Sequence, residues 1–406
     1  MRKGVIIGCY ILIVYSLLIN GCMTRSKIKL HDKSATGKSK LGWIKTFGGT
    51  GNDCGYSVQQ TYDGGYIITG STESFGVGYE DVYLIKTNAN GDTIWTKTFG
   101  GTLWDSGHSV QQTTDSGYII AGVKNECDRG GDVYIIKTTA NGDTSWTKTF
   151  DRTGIDYAYS IQKTLDRGYI ISGYSESSLD TRKYYVYLIK TDANGIQVWT
   201  KTYGRIKFDR SYSVQQTPDE GYIIIGSTYS FGDGESDVYL IKTDVNGDTI
   251  WTKIFGGTNY DFGLSVQPTS DSGYIIAGST YSFGAGGTDV YLIKTSTNGD
   301  TVWTKTFGGT KNDEAFSVQQ TSDNGYIIAG KTCSYGIGGS DVYLIKTDLN
   351  GNQVWTKTFG GTHNDRGYSV QQTSDGGYII TGGSESFDAG GGDVYLIKTD
   401  ANGNTE

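Results

Sequence analysis

Seven aspartates recur at one place in a repeated pattern, a few residues ahead of runs such as SVQQT. Such carboxylates could form a ring that binds a cation or a polar ligand, or each could accept backbone N–H bonds within its own turn. Because binding sites are usually asymmetric, the sevenfold repetition favours the turn. The same argument covers a second set before VYLIKT, with Tyr185 in the third copy. The first set is Asp53, Asp105, Asp156, Asp209, Asp261, Asp313 and Asp365, and the second is Asp81, Asp132, Asp237, Asp289, Asp341 and Asp393.

Other candidates for chemistry are weaker. Residues Asp244 to Asp248 place oxygens at alternate positions, as calcium loops do, but no acidic residue closes the site. We therefore expect a hairpin turn and no metal. The three histidines, His31, His108 and His363, accompany no serine-nucleophile motif. The sequence thus predicts neither an enzyme nor a cofactor.

The chain is built from an internal repeat. Seven tryptophans, spaced 51 to 53 residues apart, begin segments that each hold four short apolar runs, such as WTKTFGG, AFSVQQT, GYIIAGKT and DVYLIKT. The runs are rich in Val, Ile, Tyr, Thr and Trp and show no helical period. This pattern predicts an all-β fold, a seven-bladed β-propeller with four antiparallel strands per blade. An open solenoid is the alternative. The tryptophans are Trp43, Trp95, Trp146, Trp199, Trp251, Trp303 and Trp355.

Two kinds of connection join the predicted strands. With strands named a to d from the channel outwards, the a–b and c–d links are tight turns, the latter always Asn-Gly, as at Asn90-Gly91. Their central residues are expected at positive φ. The b–c and d–a links are longer and fall on the opposite face. We expect a ligand on this long-loop face, since rigid scaffolds commonly bind through loops.

The two ends of the repeat complement each other. The chain stops at Glu406, just before another Trp strand is due, whereas the Trp43 strand lacks a hairpin partner. We expect the Trp43 strand to pair with Asp393–Thr399 as strand d of the seventh blade, which closes the ring without a loose edge.

The N-terminus has the features of a secretory signal. Arg2 and Lys3 precede an apolar run that ends in Ile19-Asn20-Gly21-Cys22. That end resembles the lipobox of bacterial lipoproteins, which implies cleavage before Cys22 and acylation of this cysteine. Met23 after the cysteine then favours the outer membrane. An uncleaved anchor or an ordinary signal peptide are the alternatives. Residues 23–40 form a basic, flexible tether, and residues 41–406 form the propeller.

Charge and cysteine content exclude some partners. Residues 1–40 carry eight basic residues and one acidic residue, so the chain's net charge of −8 leaves about −15 on residues 41–406. An acidic body of this kind argues against nucleic-acid binding. Cys54, Cys127 and Cys333 follow no disulfide pattern, and free thiols are favoured over a Cys54–Cys127 bond. We expect an extracytoplasmic monomer.

Three family resemblances concern the repeat. The pattern D-x-N-G-x-x-x-W, as in residues 244–251, is similar to the tryptophan-docking motif of pyrroloquinoline-quinone propellers. The resemblance implies tryptophan packing between blades, and a quinoprotein enzyme is a remote alternative. The strand order also resembles kelch blades, and the whole repeat resembles uncharacterised bacterial secreted propeller proteins.

Departures from the repeat point to a binding surface. The long loops of blades two to four carry basic and aromatic residues where other copies have Gly, Ser and Asn. We interpret them as a ligand-binding sector for an acidic glycan or a protein, and drift in exposed loops is the alternative. The function predicted is a non-enzymatic, lipid-anchored binding or scaffold module of the cell envelope. The alternative is a carbohydrate-active hydrolase or lyase, which needs unlike carboxylates or a histidine at a blade junction. The sector comprises Trp104, Arg129, Arg152, Arg182, Lys183, Arg205, Lys207, Phe208 and Arg210.

Overall fold

The computed structural model describes residues 42–125, 130–152, 154–177, 180–205, 207–387 and 390–405, with only the backbone of 180–182. The signal, Cys22, the tether, Cys127 and Arg129 lie outside the described residues. Cys54 and Cys333 are free thiols, as the sequence favours. The described part of the chain contains no helix of the length and apolarity needed to span a membrane.

Seven four-stranded antiparallel sheets form the predicted blades, each in the order a-b-c-d. Blade 1 spans residues 53–99, and the others follow along the chain. The a strands are Asp53–Gln60, Ser106–Gln112, Asp156–Lys163, Asp209–Gln216, Asp261–Pro268, Asp313–Gln320 and Asp365–Gln372. The b strands are Tyr66–Thr72, Tyr118–Asn125, Tyr169–Ser177, Tyr222–Thr228, Tyr274–Thr280, Tyr326–Thr332 and Tyr378–Ser384.

The outer half of blades 1 to 6 is a c–d hairpin, whereas in blade 7 strand d is the N-terminal strand. The c strands are Asp81–Thr87, Gly131–Thr138, Asp180–Thr191, Asp237–Thr243, Asp289–Thr295, Asp341–Thr347 and Asp393–Thr399. The d strands are Trp43–Phe47, Thr93–Phe99, Thr144–Phe150, Gln197–Tyr203, Thr249–Phe255, Thr301–Phe307 and Gln353–Phe359.

The ring closes as the sequence predicts. Trp43–Phe47 pairs antiparallel with Asp393–Thr399, from Trp43 opposite Lys398 to Phe47 opposite Val394. Val58 of blade 1 then packs in one apolar cluster with Ile379 and Leu396 of blade 7. The first and last blades therefore meet as any other neighbours do, and the solenoid alternative is wrong.

The core lies between blades. In strands b and c nearly every residue is buried, because both faces of the sheet are covered. Ile223 and Leu240 of blade 4 share a cluster with Val266 and Ile276 of blade 5, for example. Burying each such side chain stabilises the fold by about 1.5–3 kcal/mol. A blade is thus stable only beside its neighbours.

Each d-strand tryptophan docks onto the next blade, which confirms the expected tryptophan packing. The ring of Trp251 lies against Gly299 of the following Asn-Gly turn, where a Cβ would come within 2.7 Å of it. The same ring meets Tyr274 edge-on, with centroids 6.1 Å apart. Trp43 makes the equivalent contacts with Gly91 and Tyr66 across the closing junction.

The tight turns differ from expectation in one detail. Only one residue of each turn adopts positive φ, such as Gly247 (φ 79°) in the c–d turn and Glu220 (φ 65°) in the a–b turn of blade 4. The turns are type I turns followed by a left-handed residue, which is a common hairpin solution. The loop that resembles a calcium site is such a turn: the Asp244 carboxylate accepts the N–H groups of Asn246 and Asp248.

Two glycines of blade 1 allow the energetic effect of the tryptophan contact to be separated from that of backbone strain. Gly64 (φ 80°) has nothing within 4 Å of an added Cβ, whereas Gly91 (φ 78°) would place it 2.5 Å from the Trp43 ring. We expect Gly64→Ala to lower the free energy of unfolding by about 1–2 kcal/mol through strain alone. Gly91→Ala should lower it by about 1–3 kcal/mol more, because the ring must move. Denaturant unfolding measures both variants, and equal losses would contradict the docking role.

Candidate functional site

A β-bulge in every a strand shapes the channel wall. In blade 1 the register with strand b shifts between Gly55 and Ser57, so Tyr56 has no opposite residue, and the other six a strands shift at the same place. A bulge breaks the alternation of a strand and re-aims a side chain. As a result, Tyr56 and Ser57 both border the channel although they are consecutive.

The seven bulge residues, six aromatic and one leucine, form a ring of side chains near the long-loop face, here called the collar. It encloses a cavity of about 400 Å³. Neighbouring rings touch, with centroids 5.0 Å apart for His108 and Tyr159 and 5.2 Å for Tyr159 and Tyr212. Sequence reasoning missed this ring, and its signal was a large side chain directly before each Ser of the SVQ run. The collar consists of Tyr56, His108, Tyr159, Tyr212, Leu264, Phe316 and Tyr368.

Burial keeps two of the collar side chains, His108 and Tyr159, neutral near pH 7. Burial lowers the pKa of His108, whose Nδ1 lies 2.8 Å from the Ala158 carbonyl and must therefore carry the proton. Its Nε2 then accepts from Ser106 Oγ at 3.1 Å. Burial also raises the pKa of Tyr159 to about 12. The collar accordingly offers apolar faces and neutral hydroxyl groups.

Below the collar, polar side chains tie the a strands together around a cavity of about 190 Å³. Ser57 Oγ accepts the Val110 N–H at 3.3 Å, and Gln59 Oε1 accepts the Gln112 N–H at 2.6 Å. In blade 5 the residue at the position of Gln112 is Pro268, which has no N–H to donate. Gln215 Oε1 of blade 4 therefore accepts a hydrogen bond from the side chain of Gln162 instead. These serines and glutamines are part of the scaffold.

The recurrent aspartates have the turn role that the sequence favours. Asp261 accepts the Gly257 N–H at 2.8 Å and Ser282 Oγ at 2.6 Å, and the other six make the same Oδ2 bond to the residue four positions earlier. Asp289, before strand c, accepts the N–H groups of Ala285 and Gly286. The aspartates therefore fix the loops and leave the ligand surface to other residues.

The type of residue that precedes each a-strand aspartate differs between two parts of the long-loop face. In blades 1, 6 and 7 it is Asn, whose side chain binds the neighbouring loop, as Asn52 binds Glu73. Blades 2, 4 and 5 have an aromatic residue instead, and blade 3 has Ile155; these four positions are here called the aromatic arc. Trp104 stacks on Tyr79 at 5.0 Å, with 53% and 65% of the two side chains exposed. The full set is Asn52, Trp104, Ile155, Phe208, Tyr260, Asn312 and Asn364.

The predicted sector is only partly brought together. Phe208 and Arg210 line one cavity beside the collar. The Arg152 guanidinium lies 5.2 Å from the Tyr187 ring instead. Arg205 and Lys207 are exposed loop residues whose backbone N–H groups bind Asp209 and Ser230. Lys183 is half-buried in strand c of blade 3, and the Arg182 side chain lies outside the described residues.

One blade junction carries an extra carboxylate. At five junctions a glycine sits between two aspartates, as Gly256 does between Asp237 and Asp261. Between blades 2 and 3 the glycine is replaced by Asp151. Carboxylate oxygens of Asp132, Asp151 and Asp156 lie within 4.8 Å of one another.

This cluster should make stability depend on pH. Burial raises the pKa of Asp156 to about 6, and Asp151 adds to the rise, while Ser175 and Arg152 oppose it. An unfolded aspartate has a pKa of about 3.9. Stability from this group is thus present below pH 4 or so and is lost as the pH rises to about 6.

Asp151→Gly restores the residue found at the other junctions. We expect it to raise the free energy of unfolding by about 1 kcal/mol at pH 7.5 and by less at pH 4, because the removed charge matters only when Asp156 is ionised. Asp151→Asn should show the same pH dependence if charge is the cause. Denaturant unfolding at both pH values is the measurement, and an equal change at each would contradict this account.

Comparison with known proteins adds the fold and one distant relative. No family model matches the chain. It is 30% identical over 178 residues to the regulatory protein FlaEY of Caulobacter vibrioides, a match that covers 38% of this chain and only 18% of that protein. The Pan2 WD40 domain of Neurospora crassa aligns with a TM-score of 0.52 at 10% identity, covering 88% of this chain and 92% of that domain. Sqt1 of Chaetomium thermophilum aligns with a TM-score of 0.48 at 12% identity, over 84% and 83% of the two chains. At these identities, the similarity to Pan2 shows the propeller fold alone.

Proposed function

We propose that this protein is a non-enzymatic binding module of the cell envelope, held to the membrane by a lipid on Cys22. Its ligand binds over the collar on the long-loop face. The observation that carries the proposal is the collar itself, because seven large side chains, six of them aromatic, surround an open cavity of about 400 Å³. Ligand sites are typically concave and mostly apolar, with a few polar groups that fix orientation.

The distribution of variation supports the same face. Positions that join blades are nearly identical in all seven repeats, whereas residues around the channel mouth differ. The aromatic residues Trp104, Phe208 and Tyr260 all fall in blades 2 to 5. Trp, Tyr and Arg contribute most of the binding free energy at interfaces. We therefore expect a protein or glycan partner to gain most of its binding free energy from this arc.

A screen of glycans and envelope proteins with the purified protein tests the proposal, using a collar variant. Tyr159→Leu combined with Tyr212→Leu keeps apolar volume, and Leu264 already occupies the equivalent position in blade 5. We expect the double variant to bind at least tenfold more weakly. Tyr62→Leu, on the tight-turn face and 69% exposed, is the control and should bind normally.

The same screen distinguishes binding from catalysis. The Asp132, Asp151 and Asp156 cluster is the specific observation that favours the alternative, a polysaccharide hydrolase or lyase. Its member Asp156 is fully buried and bound to a loop N–H, as in every other blade, which favours a structural role. Mass spectrometry of each glycan after incubation should show unchanged chains. Shortened products that disappear with Asp151→Asn would refute the non-enzymatic proposal.

The lipid anchor has a separate test. Cys22→Ser removes the acylated thiol, so the protein should move from the membrane fraction to the soluble fraction and should no longer incorporate labelled palmitate. Cys9→Ser, within the proposed signal, should leave both unchanged. Continued membrane association of Cys22→Ser would contradict the lipoprotein interpretation.

A further inference from the structure

A second cavity lies beside the collar between blades 4 and 5. Its volume is about 270 Å³, and it is open on the long-loop face. Four of its residues are aromatic, and one is a cation. This volume is below the about 300–1,000 Å³ of sites for drug-sized ligands, so it suits a single ring. The lining is Phe208, Arg210, Tyr212, Ser227, Tyr229 and Phe262.

Arg210 is held by aromatic faces. Its guanidinium carbon lies 4.7 Å from the Tyr174 ring centroid and 5.1 Å from that of Tyr184. Its Nε is buried and has no hydrogen-bond partner. Aromatic rings attract a guanidinium but cannot neutralise it. The guanidinium also hydrogen-bonds Tyr212, and the other donors of its terminal nitrogens are available to an anion.

In blade 6 the position equivalent to Arg210 also carries a charge, but that charge has an ion-pair partner within the protein. There Glu314 occupies the second place of strand a, and its cross-strand partner Lys331 forms an ion pair with it at 3.1 Å. The cross-strand partner of Arg210 is Ser227, which carries no charge. Among the residues that the structure describes, no carboxylate forms an ion pair with Arg210.

We infer that this cavity binds an acidic sugar residue, with its carboxylate on Arg210 and its ring against the aromatic walls. The inference rests on the proposed function and names the ligand class of that site. A guanidinium pairs with a carboxylate through two parallel hydrogen bonds, which fixes orientation as well as charge. A sugar ring can also cover the aromatic faces of Phe208, Tyr229 and Phe262. An Asp or Glu side chain of a protein partner is too short to do so, and this favours an acidic sugar as the ligand. The acidic body of the protein repels anions from most of the remaining surface.

Matched glycan pairs test the inference on the full purified chain by calorimetry. Tri-galacturonate and its methyl ester differ only at their carboxyl groups, and 3′-sialyllactose differs from lactose by one acidic sugar residue. We expect at least one acidic member to bind at least tenfold more tightly than its neutral counterpart. Arg210→Gln should abolish that preference. Ser227→Glu should abolish it too, because it reproduces the internal pair of blade 6.

The control is Arg167→Gln, an arginine in the a–b turn on the opposite face, which should keep the preference. Equal binding of acidic and neutral sugars, or a preference that survives both Arg210→Gln and Ser227→Glu, would overturn the inference. If a protein binds at the collar while no acidic sugar does, the inference fails and the proposed function stands. If nothing binds in a collar-dependent way, both fail.

Discussion

Every blade of the ring depends on a tryptophan that presses on a glycine of the next blade. The contact needs three things at once: an outer strand that presents the ring, a left-handed turn residue without a Cβ, and a tyrosine beneath it. Trp251, Gly299 and Tyr274 supply them at one junction, and the six other junctions repeat the set. Because the N-terminal strand carries Trp43, the closing junction is built like the rest. The requirement explains why the Asn-Gly turn and the tryptophan recur together along the chain.

The scaffold uses its polar groups internally. The recurrent aspartates bind loop N–H groups, and the channel serines and glutamines bind the backbone of the next blade. Even the buried lysine of strand c is paired, as Lys86 is with Asp63 at 2.9 Å. The collar, the aromatic arc and Arg210 are the groups of the long-loop face that remain accessible to a ligand. This division places the candidate site where the repeat varies.

Much of the fold could be predicted from the sequence, because short β-rich runs, Asn-Gly turns and a fixed period leave few architectures. The split blade followed from one missing Trp strand at the end of the chain and one unpaired strand at Trp43. The collar could not be predicted in this way. In a regular strand Tyr56 and Ser57 face opposite sides, and only the bulge turns both to the channel. The sector was assigned from loop composition, which does not distinguish Arg210, in a strand at the mouth, from Arg205, in an exposed loop.

The central claim is that ligands bind at the collar and mouth while the blade junctions serve as a passive scaffold. Hydrogen–deuterium exchange of the purified protein, with and without the strongest ligand from the screen, tests it most directly. The account predicts slower exchange in the first half of the a strands and in the d–a loops of blades 2 to 5, with no change in the tight turns. Protection centred on the tight-turn face or on the outer d strands would contradict it.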